Sequence, residues 1–212
     1  MPKKVDHEAR RQEIADALWR IAVARGLDGV SLRDVAAEAD ISLGRLQHYF
    51  RTKDEMLLFA MRSVSARADK RIRERIAAIA GVGAEGVAAV PPPRAVLREV
   101  LAGMLPLDER STVGALVGVA YFTRAVHDER LQEEARQGIP ALAAFLADLL
   151  RQVHDGGGLR APYAEGDLRD EAMRLISLAD GLSTYILLGV HSGEEALRLL
   201  DAQLERMWTD GR

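Results

Sequence analysis

The sequence predicts an all-α fold: a small N-terminal three-helix domain joined by a long helix to a larger C-terminal helical bundle. Three observations carry this. Apolar residues recur at three- and four-residue spacing along most of the chain, and no segment alternates convincingly as a strand. Short helical patterns follow the N-cap residues Ser31, Ser42 and Thr52 in quick succession. A Gly/Ala/Pro-rich stretch over residues 81–93 then divides the chain and reads as a loop.

The first helix is expected over residues 7–25, where Ile14, Leu18, Ile21 and Ala22 share one face. Gly26 stops it and Asp28-Gly29 turns the chain. Helices over 32–39 and 43–49 follow, separated by a tight turn at Asp40-Ile41. A long helix starts after Thr52 and runs to about residue 80. Beyond the loop, helices are expected over 94–105, 108–126, 128–153, 167–191 and 194–209, with Gly156-Gly157-Gly158 and Pro162 breaking the run. The chain divides on this reading into residues 1–53 and residues 54–212.

Composition removes several classes of function. With 212 residues and a hydrophobic fraction of 48%, the chain can build a sizeable core. It has no Cys, so disulfides, thiolate metal sites and Cys nucleophiles are excluded. No apolar run approaches the roughly 18–20 residues that cross a bilayer. The opening Met-Pro-Lys-Lys leads into a charged helix rather than an apolar signal core, so a cytoplasmic protein is expected.

Other motifs carry little chemistry. Gly81-Val82-Gly83-Ala84-Glu85-Gly86 matches a dinucleotide fingerprint but follows a helix and leads into Pro91-Pro92-Pro93, so it lacks both flanks the mechanism needs. Asp155-Gly156-Gly157-Gly158 has no following Lys and reads as a helix stop. His7, His48, His127, His154 and His191 lack metal-ligand spacing, and Asp128 beside His127 reads as an N-cap. No Gly-x-Ser-x-Gly element is present. Neither cofactor, metal nor catalysis is expected.

Bulk charge does not point to nucleic acid. The net charge is −3, and the first fifty residues hold eight basic and eight acidic side chains. Their placement is more telling. Ser31-x-x-Asp34 and Thr52-x-x-Glu55 form capping boxes, whereas Ser42 is followed at the third position by Arg45, unfavourable beside a helix N-terminus. The exception is explained if this end faces phosphates and base edges. Leu43, Leu46 and Phe50 share the inward face, while Gly44, Arg45 and His48 lie opposite, with Gln47 at the border. From Ile41 to Lys53 there are three basic residues and no acid. A helical hairpin with a merely solvated polar side remains the alternative on these patterns alone.

The string Val30-Ser31-Leu32-Arg33-Asp34-Val35-Ala36-Ala37-Glu38-Ala39, continued by Ile41-Ser42-Leu43-Gly44-Arg45-Leu46-Gln47-His48-Tyr49-Phe50 and Lys53-Asp54-Glu55-Met56-Leu57, resembles the TetR family of transcription regulators. The resemblance implies a helix-turn-helix domain, a double-stranded DNA operator, a small-molecule effector, a homodimer and most often repression. Carried over by position, Ser42–Tyr49 becomes the recognition helix, and Ser31, Arg33, Ser42, Leu43, Gly44, Arg45, Gln47, His48, Tyr49, Thr52 and Lys53 become DNA-binding candidates. Arg45 and Gln47 depart from the Thr and Tyr more usual there, and suit guanine and adenine respectively. Asp40 replaces the usual turn glycine.

The C-terminal half resembles the BetI-type branch of that family more weakly, through Leu105-Pro106-Leu107-Asp108-Glu109-Arg110 and Asp180-Gly181-Leu182. Met104, Leu116, Tyr121, Phe122, Arg124, Phe145 and Met173 are candidates for an effector pocket. Leu178, Gly181, Leu182, Tyr185, Leu188, Leu197, Leu200, Leu204, Met207 and Trp208 are candidates for a dimer interface, because the helix over 167–191 is apolar over more than one face and the last helix carries an apolar stripe. A helical protein-interaction module without operator binding is the alternative function.

Overall fold

The structure is a computed structural model that describes residues 2–26, 30–79, 90–160, 163–164 and 167–209. Among these it contains α1 (Pro2–Arg25), α2 (Leu32–Glu38), α3 (Leu43–Tyr49), α4 (Lys53–Ile79), α5 (Pro93–Ala102), α6 (Glu109–Ala125), α7 (Glu129–Asp155), α8 (Asp167–Leu187) and α9 (Gly193–Met207). The expected Asp28-Gly29 turn and the Gly81–Gly86 string lie outside the described residues.

Local chemistry explains most helix ends. Gly26 takes a left-handed φ of 79° and returns its amide to the Ala22 carbonyl, closing α1. The Ser31 box forms as expected: its hydroxyl accepts from the Asp34 amide, and Asp34 accepts from the Ser31 amide. Thr52 makes only half of its box. Its hydroxyl accepts from the Glu55 amide, but the Glu55 carboxylate takes the amide of Arg51 instead. Asp128 caps α7 by accepting from the amides of Arg130 and Leu131.

Three expected boundaries are corrected. Helix α1 begins at Pro2 rather than residue 7. Helix α5 ends at Ala102 rather than residue 105, because the chain tightens through Gly103 before Pro106. Helix α8 ends at Leu187 rather than residue 191. Gly189 adopts φ 71°, its amide bonds the Ile186 carbonyl and the Val190 amide bonds Tyr185, the paired bonds of a glycine-terminated helix.

Two cores result. The first joins α1, α2 and α3 with Met56, Leu57, Ala60, Met61 and Val64 of α4 and Val117 of α6. The second lies among α5, α7, α8 and α9, and Ile72 and Ile76 of α4 pack against it. One helix therefore belongs to both. A Cβ on Gly103 would come within 2.6 Å of the Ile72 side chain, so this glycine lets α5 approach α4. The C-terminal end is clasped by the 156–158 turn, where Thr209 donates its amide to Gly158 and Arg160 donates its amide to Met207.

Candidate nucleic-acid interface

Helix α3 is held from behind. Leu46 and Phe50 are fully buried in the first core, and Leu43 is half-buried. Arg11 of α1 lies between two rings, its guanidinium carbon 4.6 Å from the Phe50 centroid and 4.4 Å from that of Phe59. It also reaches Glu55 at 3.5 Å, joining α1 to the α3–α4 junction. The turn into α3 needs a left-handed residue, and Asp40 takes φ 53° there.

The outer face is open. Ser42, Gly44, Arg45, Gln47 and His48 are exposed, as are Ser31, Arg33 and Thr52, while Tyr49 and Lys53 are half-buried. The Ser42 hydroxyl accepts from the Arg45 amide at 3.2 Å, so the first turn of α3 is capped without any acid.

Charge pairing separates what bulk charge had mixed. Arg10 pairs with Glu13, Arg20 with Glu38, and Arg67 holds Asp16 with two bonds of 2.8 and 3.1 Å. Arg33, Arg45, Arg51 and Lys53 form no ion pair among the described residues. Glu13, Glu38 and Asp16 are thus taken up by arginines away from α3, and the end that carries α3 keeps cations without ion pairs among the described residues.

His7 was not among the sequence candidates. Its ring sits 4.9 Å from Tyr49 and 6.3 Å from His48, so the first turns of α1 support the recognition helix. The signal was present: His7, Arg11, Ile14 and Leu18 continue one helical stripe, obscured because its first two members are polar.

The C-terminal candidates come from both cores and from partly exposed positions. Met104 and Met173 pack on the second core, whereas Tyr121 packs on the first and donates its hydroxyl to the Leu131 carbonyl at 2.9 Å. Leu116 is half-buried on α6. Phe122 and Phe145 are 44% and 45% exposed. Arg124 bonds Asp54 at 3.0 Å, tying the end of α6 to the first turn of α4, and this hydrogen bond holds the Asp54 carboxyl below its ordinary pKa.

Among the interface candidates, Leu182, Leu200, Leu204, Met207 and Trp208 are buried in the chain's own core, so they present little surface to a second copy. Leu178 and Leu197 pack against that core and Gly181 is half-buried. Tyr185 and Leu188 are exposed, together with Val190 and Leu199, which the sequence candidates did not include.

An all-α chain with a capped, acid-free recognition helix on a separate three-helix head is a DNA-binding transcriptional regulator in design. Comparison with known proteins agrees. Residues 14–60 match the family described as bacterial regulatory proteins, tetR family, and residues 93–209 match the BetI-type transcriptional repressor C-terminal domain. The chain belongs to the TetR family of transcriptional regulators.

It is 37% identical over 194 residues to the HTH-type transcriptional regulator PksA of Bacillus subtilis (strain 168), covering 89% of this chain and 83% of that one. It is 33% identical over 188 residues to the HTH-type transcriptional regulator BetI of Burkholderia thailandensis, covering 81% and 91%. A transcriptional regulator from Rhodococcus sp. Rha1 superposes with a TM-score of 0.69 at 29% identity, covering 93% and 95%. A regulator from Saccharomonospora viridis, solved in complex with choline, shares the fold with a TM-score of 0.80 at 23% identity, covering 96% and 99%. These relatives are regulators, not enzymes. No helix among the described residues is long and apolar enough to cross a membrane.

Proposed function

We propose that this chain is a homodimeric, cytoplasmic repressor that leaves a pseudo-palindromic operator when a small molecule binds its C-terminal bundle. The observation that carries the DNA half is the outer face of α3. It is exposed, acid-free and flanked by unpaired cations in a head whose other arginines are matched to acids. Residues 1–53 would read DNA, with Arg45 and Gln47 at base edges and Lys53, Tyr49 and the Ser31 and Thr52 caps toward phosphates.

Residues 54–212 would bind effector and pair two copies. The exposed Tyr185, Leu188 and Val190 around the end of α8 and Leu199 in the middle of α9 supply apolar surface for that pairing. Two-fold symmetry then sets two recognition helices one or more helical turns apart on DNA. Helix α4 carries the response, since it is packed into both cores and tethered to α6 by Arg124.

The test is a gel shift of the whole protein with DNA upstream of its own gene, across a salt series, followed by selection from random DNA. A palindromic selected site and a steep loss of affinity with salt are expected. Binding without sequence selectivity would leave only the helical interaction module.

A further inference from the structure

Apart from the candidate DNA-contacting and effector residues, a cleft of about 460 Å³ opens between the middle of α4 and the start of α6, at the edge of the first core. Its volume falls within the range of about 300–1,000 Å³ usual for small-molecule sites. Val64 and Val113 give it an apolar floor, and Arg67, Lys70, Arg71 and Arg110 line it against the single carboxylate of Glu74. In a chain of net charge −3 this is a concentrated positive site.

Local acids offset two of the four cations and leave Arg71 on α4 and Arg110 on α6 without an ion pair among the described residues. Asp16 is held by Arg67, and Glu74 faces Lys70 at 3.7 Å. Arg71 and Arg110 form no ion pair among the described residues. Asp108 feels the charge of Arg71, but its carboxylate is occupied by the amide and hydroxyl of Ser111 at 2.7 and 2.8 Å. The Arg71 guanidinium reaches across to α6: a Cβ on Gly114 would lie 3.9 Å from Arg71 Nη2 and 3.9 Å from Val64 Cγ1. Two arginines from two helices thus converge on one space without an acid partner, and planar guanidinium groups favour carboxylate and phosphate oxygens.

We infer that this cleft binds a small organic anion carrying two or more negative charges, a polycarboxylate or phosphate ester, which clamps α4 to α6. The site stands whether or not operator release follows the proposed effector mechanism, because its occupancy is read directly.

Isothermal titration calorimetry of the full-length protein at constant ionic strength would compare citrate, glycerol 3-phosphate and choline chloride. Saturable binding of citrate or glycerol 3-phosphate, with none by choline at this cleft, is expected. The R71A/R110A variant should bind the anion at least tenfold more weakly. Gly114→Leu keeps every charge but fills the floor, and should weaken binding to the same extent. Helical circular dichroism matching the unsubstituted protein confirms that both variants fold. Absence of binding by both anions would overturn the site, and so would equal affinity in all three proteins, which would mean an adventitious ion only.

Discussion

Replacing Arg45 with Ala separates DNA reading from folding more cleanly than any other single change. Its side chain is exposed and makes no hydrogen bond or ion pair among the described residues, while its amide, which the cap requires, is untouched. Alanine and arginine are both strong helix formers. Removing a cation from the first turn also relieves an unfavourable interaction of about 0.3–1 kcal/mol with the helix dipole. The urea midpoint of Arg45→Ala should therefore stay level or rise slightly.

Operator binding should fall sharply. A bidentate arginine–guanine pair contributes about 1–3 kcal/mol of discrimination, and the proposed dimer would use it twice, giving about 2–6 kcal/mol. That corresponds to a loss of roughly thirtyfold to more than ten-thousandfold in affinity. Fluorescence anisotropy on operators changed one base pair at a time would show the contacted position: the penalty for changing it should nearly vanish in Arg45→Ala. Lys53→Ala, by contrast, should weaken all sequences alike and flatten the salt slope by about one per contact. Refutation would be Arg45→Ala binding within twofold of the unsubstituted protein, or weakening uniformly with a flatter salt slope.

Other substitutions probe the support behind this surface. Leu46→Ala, at a fully buried position of α3, should cost about 2–5 kcal/mol in urea unfolding and exceed the loss from Leu43→Ala at the half-buried neighbour. Asp54→Asn removes the charge that pairs with Arg124, whose hydrogen bond lowers the Asp54 pKa; the depressed acid stabilises above the ordinary carboxylate range and loses that contribution as pH falls through its folded value. The pair is partly exposed, so the difference should be about 0.5 kcal/mol or less at pH 7 and disappear under acid conditions. Asp180 behaves oppositely, because burial raises its pKa and its charged form is disfavoured in the fold. Asp180→Asn should raise the thermal midpoint at neutral pH and match the unsubstituted protein below the ordinary carboxylate range.

Features governed by local rules were legible in the sequence. The caps at Ser31 and Ser42, the left-handed Asp40 and the inward set Leu46 and Phe50 each follow from chemistry within a few residues. Features that depend on which surface meets which were not. The excess apolar surface of α8 and the stripe on α9 suggested a second copy of the chain, yet Leu182, Leu200, Leu204, Met207 and Trp208 are already covered within one chain. A hydrophobic stripe reports that a partner exists without saying whether the same chain supplies it. The aromatic candidates Phe122 and Phe145 are both partly exposed, since helical spacing fixes a face but not its neighbour. The acid-free run from Ile41 to Lys53 was legible in the sequence; the pairing of Glu38 with Arg20 and of Asp16 with Arg67 needed contacts between α1, α2 and α4.

The division drawn after residue 53 follows the Thr52 cap, but packing continues across it, and that difference bears on how a signal travels. Met56, Leu57, Ala60, Met61 and Val64 are part of the head core, so the first three turns of α4 cannot leave α1 without exposing buried apolar surface. Ile72 and Ile76 are bound to the bundle in the same way. A movement of bundle against head that preserves both cores must then be absorbed between Val64 and Ile72. Val113, Val117, Ala120 and Tyr121 of α6 pack on the head core while the Tyr121 hydroxyl bonds the Leu131 carbonyl of α7, so α6, like α4, is held on both sides. The cationic cleft lies along this same stretch, with Arg67, Lys70 and Arg71 on α4 and Arg110 on α6. An anion held there would stiffen the one part of α4 that is free to yield, and would oppose bending whatever its cause.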